Sequence, residues 1–163
     1  MANEGWPGEA IATGLTRLPG ALATDTPQVV LLLHGANDLL GSPSNSTTQY
    51  IATKLRDMVR ASKASVPAAN VLLATFPPQW HGTTPYDRGA GAEFVPGLNQ
   101  QIADVAASEG ATLVDLYAPL SADIKRYIGA DGLHPTEAGF TLMAQTFAAA
   151  IKDKFEARTA AGR

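Results

Sequence analysis

Five apolar residues in a row, Val29-Val30-Leu31-Leu32-Leu33, run straight into His34-Gly35-Ala36-Asn37-Asp38, and nothing else in this chain restricts its fold so tightly. An unbroken run of that length suits a strand buried on both faces, as in a parallel sheet. The small and polar residues after it must turn the chain, and a helical pattern begins a few residues later. Strand, polar turn and helix make the unit of a parallel α/β sheet, whose ligands sit at the carboxyl ends of the strands. Asn37 and Asp38 therefore fall where such folds do their chemistry, although Gly, Asn and Asp are also ordinary turn residues.

The rest of the chain repeats the unit. Residues 3–9 read as a glycine-rich loop, and residues 10–23 as helix, with Ile11, Leu15, Leu18 and Leu22 three or four apart. Pro19 is expected to divide that helix into two short pieces. Residues 42–48 form a polar loop in which Thr47 or Thr48 caps a helix over residues 49–65. That helix places Ile51, Leu55, Met58, Val59 and Ser62 on one stripe, with Lys54, Arg56, Asp57 and Arg60 largely outside it. A second buried strand, residues 70–76, stops at Pro77-Pro78. The long segment 77–97 carries prolines, glycines, Trp80, His81, Tyr86 and Phe94; loops of this length in small domains tend to be either functional or disordered.

A helix over residues 98–108 turns Leu98, Ile102, Val105 and Ala106 inward and stops at Gly110. Residues 111–116 make a third strand and 121–128 a short helix. The final helix, residues 136–157, carries Phe140, Met143, Phe147 and Ile151. Alternating strands and helices without a linker predict one domain over residues 1–163, a three-layer α/β/α sandwich with a parallel sheet and right-handed crossovers.

Composition narrows the function by exclusion. With 15 acidic against 12 basic residues, the formal net charge of −3 gives no basic face for nucleic acid. The chain has no cysteine, so disulfides and thiolate metal sites are ruled out. No apolar run approaches the ~18 residues of a membrane span. Met1-Ala2-Asn3-Glu4-Gly5 lacks the basic flank and apolar stretch of a signal peptide. A soluble protein is expected, cytoplasmic or exported from a longer precursor.

Asp131-Gly132-Leu133-His134-Pro135 is the second stretch with chemical content. Residues three apart on a tight turn can face each other. An Asp so placed accepts the Nδ1 proton of His134 and leaves Nε2 free as a base. The competing reading is a surface Asp and a His that caps a helix start. A metal site from His34, Asp38, Asp131 and His134 has suitable ligand types but no dense ligand motif.

Taken together, Gly35-x-Asn37-Asp38 after one strand and Asp131-x-x-His134-Pro135 before the last helix resemble the SGNH hydrolases, the GDSL lipase/esterase family. Asn3-x-Gly5-x-x-Gly8, followed by Thr13-Gly14-Leu15-x-Arg17-Leu18-Pro19, is similar to the segment after that family's second strand. The resemblance covers nearly the whole chain and three of the family's four motif blocks. It implies a flavodoxin-like SGNH fold and hydrolysis of a small carboxylic ester without a cofactor or metal. In that mechanism the Gly8 N–H and the Asn37 side chain stabilise the oxyanion, while His134 acts as base and then acid and Asp131 orients it. Asp38 is expected to hold its turn by bonding backbone amides, and His34 to be a packed strand-end residue.

One departure from the family stands out. The Gly-Asp-Ser that carries the family's nucleophile after its first strand is missing, so the chain resembles an amino-terminally truncated member. Ser42, Ser44 and Ser46 are the only local candidates to replace it. Two readings follow: an ester hydrolase seen without its nucleophile, or a non-catalytic remnant that binds small esters or glycans. By the same resemblance, a family sheet ordered 2-1-3-4-5 and lacking its first two strands would leave Val29, Val30, Leu31, Leu32 and Leu33 as an edge. Such an edge invites pairing, so a homo-oligomer or strand-exchanged dimer is expected, or retention of a separate amino-terminal fragment.

Overall fold

Three parallel strands carry the architecture in the computed structural model, which describes residues 1–41, 43–83, 85 and 87–161, the last seven as backbone. Strands β1 (Val29–Leu32), β2 (Asn70–Ala74) and β3 (Thr112–Val114) lie in that order, with Val30 opposite Val71 and Leu73 opposite Leu113. Helix α1 (Ile11–Asp25) precedes β1, α2 (Asn45–Ser65) joins β1 to β2, and α3 (Val95–Glu109) joins β2 to β3. Two short helices, α4 (Tyr117–Ser121) and α5 (Ile124–Tyr127), lead to α6 (Glu137–Ala161). No helix among the described residues is long and apolar enough to cross a membrane.

Alternation along the strands sorts the side chains into two layers. Val30, Leu32, Val71 and Leu73 face α1, α2 and α3, where Ile11, Leu22, Ile51, Leu55, Met58, Val59, Leu98, Ile102 and Val105 complete a buried cluster. The stripes expected for α2 and α3 are thus the ones that pack. Leu72, Ala74 and Val114 face the other way, toward Leu116, Leu120 and the Leu142, Met143, Phe147 and Ile151 side of α6. Helices therefore cover both faces, giving the three-layer α/β/α sandwich. Cover is uneven: Leu31 and Leu33 stay 39% and 37% exposed, so β1, at the sheet edge, is buried on one face rather than on the two that its apolar run suggests. Fully burying a leucine is worth about 1.5–3 kcal/mol, so the layer under α1–α3 holds most of the stability.

Local chemistry moved several element boundaries. Helix α1 is continuous through Pro19, where two pieces were expected. Pro19 sits on the solvent side, so the Leu15 carbonyl that loses its partner remains within reach of water. Helix α2 begins at Asn45, because Ser44 rather than Thr47 or Thr48 caps it: its Oγ accepts the Thr47 N–H at 3.2 Å. Helix α3 starts at Val95 with Pro96 in its first turn, where a missing N–H costs nothing. The single short helix expected over residues 121–128 is two, α4 and α5. Of the apolar residues that α6 carries, Phe140 is 58% exposed and lies outside the cluster that the later turns form.

Candidate active site

Asp131 and His134 meet at the turn before α6. The Asp131 Oδ1 accepts the N–H groups of Leu133 and His134, each at 3.1 Å, which closes the turn. Its Oδ2 is left for the ring, and His134 Nδ1 lies 2.5 Å away. An ionised carboxylate only accepts, so Nδ1 carries the proton and Nε2 presents a lone pair from a side chain that is 61% exposed. Burial pushes the Asp131 carboxyl up, but the His134 ring and the two backbone N–H groups outweigh it and hold the group below the usual carboxylate value.

The long segment after β2 is fastened to this turn through the backbone. The N–H groups of Trp80, Thr83 and Arg88 donate to the carbonyls of Gly132, Ala130 and Asp131 at 3.1, 3.2 and 2.8 Å. Gly132 makes the fit possible: its φ is 79°, and a Cβ there would stand 1.8 Å from the Trp80 carbonyl oxygen. Asp87 folds the segment on itself by accepting the N–H groups of Gly82 and Gly89, both at 2.8 Å. Gln79 Oε1 takes the Gly91 N–H at 3.1 Å. Lys125 of α5 holds its ammonium 5.5 Å from the Trp80 ring. His81 bridges Asp87 and Glu93 at the exposed rim; the Glu93 carboxylate, then that of Asp87, raises its pKa.

Gly8 and Asn37 belong to a second corner at the carboxyl end of β1. Gly35 (φ 106°) bends the strand into a 3₁₀ turn, Ala36–Leu39, at a point where a Cβ would meet Ile51 at 2.9 Å. From that turn Asn37 Nδ2 donates to the Glu9 carbonyl at 3.2 Å. The neighbouring Asp38 Oδ2 accepts the Ile11 N–H at 2.9 Å. Asp38 therefore bonds a backbone amide, but the amide belongs to α1 and supplies that helix with the anionic cap its own sequence lacks. Gly8 is exposed at φ 75°, one residue before Glu9.

The two corners share a neighbour. A Cβ on Gly91 would lie 3.1 Å from Leu39, so the segment that grips Asp131 and Gly132 also touches the turn that carries Asn37. A concavity of about 650 Å³ opens beside Thr136, lined by Arg126, Tyr127, Glu137, Leu142 and Gln145. The metal-ligand types noted in the sequence go to separate partners: His34 to Glu9, Asp38 to Ile11, and Asp131 to His134. Ser44 is spent as a helix cap and Ser46 lies within α2; Ser42 and Tyr86 fall outside the described residues.

Three residues that the sequence reading passed over shape these corners. Buried Asn99 brackets Phe76 at the exit of β2, accepting its N–H at 2.7 Å and donating to its carbonyl at 3.0 Å. Thr75 Oγ1 accepts the Leu116 N–H at 2.9 Å, tying the ends of β2 and β3. Glu9 is a carboxylate with 5% side-chain exposure. Only its place next to Gly8 could have drawn attention to it.

Comparison with known proteins gives the family and the fold. The GDSL-like Lipase/Acylhydrolase family matches residues 1–142. Esterase TesA of Pseudomonas aeruginosa is 27% identical over 135 residues, which are 83% of this chain and 61% of that protein. The chain thus spans less than two thirds of that curated relative's length. Among solved structures, a lipase/acylhydrolase from Enterococcus faecalis superposes with a TM-score of 0.73 at 22% identity, covering 90% of this chain and 72% of its own. A Clostridium thermocellum family 3 carbohydrate esterase gives 0.74 at 24% identity, covering 95% and 71%. A serine-to-alanine mutant of an acetyl esterase, solved with acetate ion, gives 0.71 at 16% identity, covering 91% and 69%. The structures share the fold, and the match over residues 1–142 decides the membership: this chain belongs to the GDSL-like lipase/acylhydrolase family, the SGNH hydrolases.

Proposed function

We propose that this chain provides the base and the oxyanion donors of a carboxylic ester hydrolase. The observation that carries the reading is the Asp131–His134 contact of 2.5 Å, which leaves Nε2 outward and basic. His134 would take a proton from the attacking hydroxyl and return it to the leaving alcohol, with Asp131 holding the ring and the imidazolium that forms. The Gly8 N–H and one Asn37 N–H would receive the carbonyl oxygen as it gains charge. Trp80, locked against Gly132, would form part of the acyl or alcohol wall. The alcohol and acyl groups of the substrate would be set by that wall, and the acetyl esterase of the same fold makes acetyl the first acyl group to test.

The nucleophilic serine of the family has no counterpart in Gly-Asp-Ser form here. On its own, this polypeptide would then activate water directly through His134, at a rate on the order of 10⁶ below that of a complete serine enzyme. Hydrolysis of p-nitrophenyl acetate tests this. A weak rate that falls at least tenfold in His134→Ala, with His81→Ala as control for surface imidazole, supports the reading. A rate indifferent to His134 sinks it, and favours a pocket that binds esters or glycans without turning them over.

We further propose that the chain associates through β1. It is the edge of the sheet, and Leu31 and Leu33 lie open beside its unpaired backbone. Light scattering of the 163-residue chain should give a mass above that of the 17.0 kDa monomer.

A further inference from the structure

Glu9 has no task in the reaction outlined above, yet its surroundings are the most heavily built at either corner. Its carboxylate receives Arg17 through Nε at 3.1 Å and through an Nη at 3.0 Å, with His34 Nε2 at 3.1 Å. A buried carboxylate is costly unless paired, and a well-packed apolar group is often at least as stable, so its burial calls for a use besides stability. The tautomer of His34 is fixed from the other side: the Gly35 N–H donates to Nδ1 at 2.8 Å, so the proton sits on Nε2 and points at Glu9. Room for this contact comes from Gly14, where a Cβ would lie 2.1 Å from His34 Nε2. Arg17 reaches on to the Glu4 carboxylate at 2.8 Å and stacks 4.7 Å over Trp6, so the whole approach to Gly8 is held.

We infer that Glu9 is a positioning residue for the oxyanion corner, its carboxylate clasped by Arg17 and His34 so that Gly8, the residue before it, and the Asn37 amide keep one geometry. Both ends of residue 9 are tied to the turn after β1: the carboxylate to His34, the carbonyl to Asn37. Gly8 itself has no atom within 4 Å of where a Cβ would stand, so its orientation is inherited from the residues beside it. One Asn37 N–H is engaged by the Glu9 carbonyl, which leaves the other for a ligand. The inference rests on the reading of Gly8 and Asn37 as oxyanion donors.

Nitrogen-15 spectra of the full chain test it without requiring turnover. The wild type should show His34 protonated at Nε2 alone, and a resolved pair of Asn37 side-chain protons. Glu9→Gln removes the charge at constant shape, and Gly14→Ala displaces His34 and also presses on Glu9 Oε2, 3.0 Å from the new methyl. Both variants should shift or broaden the Gly8 and Asn37 signals while those of β2 and α3 hold. In the ester assay both should lower kcat about tenfold with KM nearly unchanged, as small misplacements of donors do. Gly8 and Asn37 signals that superimpose on the wild type in both variants, with only the melting temperature lowered, would overturn the inference. A wild type without His134-dependent hydrolysis would instead count against the catalytic reading, and the spectra would still decide the role of Glu9.

Discussion

The two corners at the carboxyl end of the sheet are held by opposite means. At Gly8 and Asn37, side chains cross between segments: Glu9 to His34 and Arg17, Asn37 to the Glu9 carbonyl, Asp38 to the Ile11 N–H. At Asp131 and His134, backbone meets backbone, with Trp80, Thr83 and Arg88 laid along residues 130–132. The first corner is specified by particular functional groups and should fail by degrees as they are removed. The second is specified mainly by close approach, so, Asp131 and Asp87 apart, it should resist most side-chain changes and fail sharply where a Cβ intrudes.

The sharpest break is expected at Gly132→Ala. The new methyl would oppose the Trp80 carbonyl at 1.8 Å, and φ is 79°. Overpacking costs about 1–3 kcal/mol and the left-handed backbone about 1–2 more, so a loss of about 3 kcal/mol in urea unfolding is predicted, with a changed Trp fluorescence. Glu9→Ala should cost less, about 2 kcal/mol by the same measurement, since charged hydrogen bonds are lost but Arg17 keeps Glu4 and partial contact with water. Asp38→Ala removes the anionic cap of α1 and should cost about 1 kcal/mol. If Asp38→Ala proves as damaging as Gly132→Ala, the contrast between the corners is wrong.

Acid should act on both corners in the same direction. The carboxyl of Asp131 is held low against the raising effect of burial, and that of Glu9 is lowered chiefly by the Arg17 hydrogen bond. Groups with folded pKa values below their unfolded ones, about 4, stabilise fully above that pH, and their contribution is lost as pH falls through the folded values. The fall in stability below about pH 4 should therefore flatten in Asp131→Asn and in Glu9→Gln. His81 has the opposite sign: its pKa is raised, first by Glu93, so its contribution is complete below about pH 6.5 and fades as pH rises through the folded value. With its side chain 59% exposed, His81→Ala should leave the urea midpoint nearly unchanged across this pH range.

How well each corner reads from the sequence follows from how it is held. The five-residue run, the turn at Gly35 and the stripes of α2 and α3 are written in apolar spacing, and β1 and the core beneath α1–α3 lie where that spacing puts them. Asp131 and His134 are three residues apart, and a local turn is enough to join them. The docking of Trp80, Thr83 and Arg88 on residues 130–132 is carried by peptide N–H and C=O groups, which nearly every residue supplies, so no residue type announces it. Glu9 was overlooked for another reason. A lone glutamate in a glycine-rich segment looks solvated until α1 delivers Arg17 and β1 delivers His34. Ser44 and Pro19 were misjudged by local rules: a competing cap one residue before α2, and a solvent-facing site where a lost hydrogen bond costs little.

The central claim, that the two corners serve one ester, is tested most directly by titrating the nitrogen-15-labelled chain with acetate. Acetate is the acid product of an acetyl ester and the ion solved with a serine-to-alanine mutant of an acetyl esterase of the same fold. The account predicts that the Gly8 amide, the Asn37 side-chain amide and the ring nitrogens of His134 shift along a single binding curve. Shifts at His134 that leave Gly8 and Asn37 unmoved at saturation would contradict it.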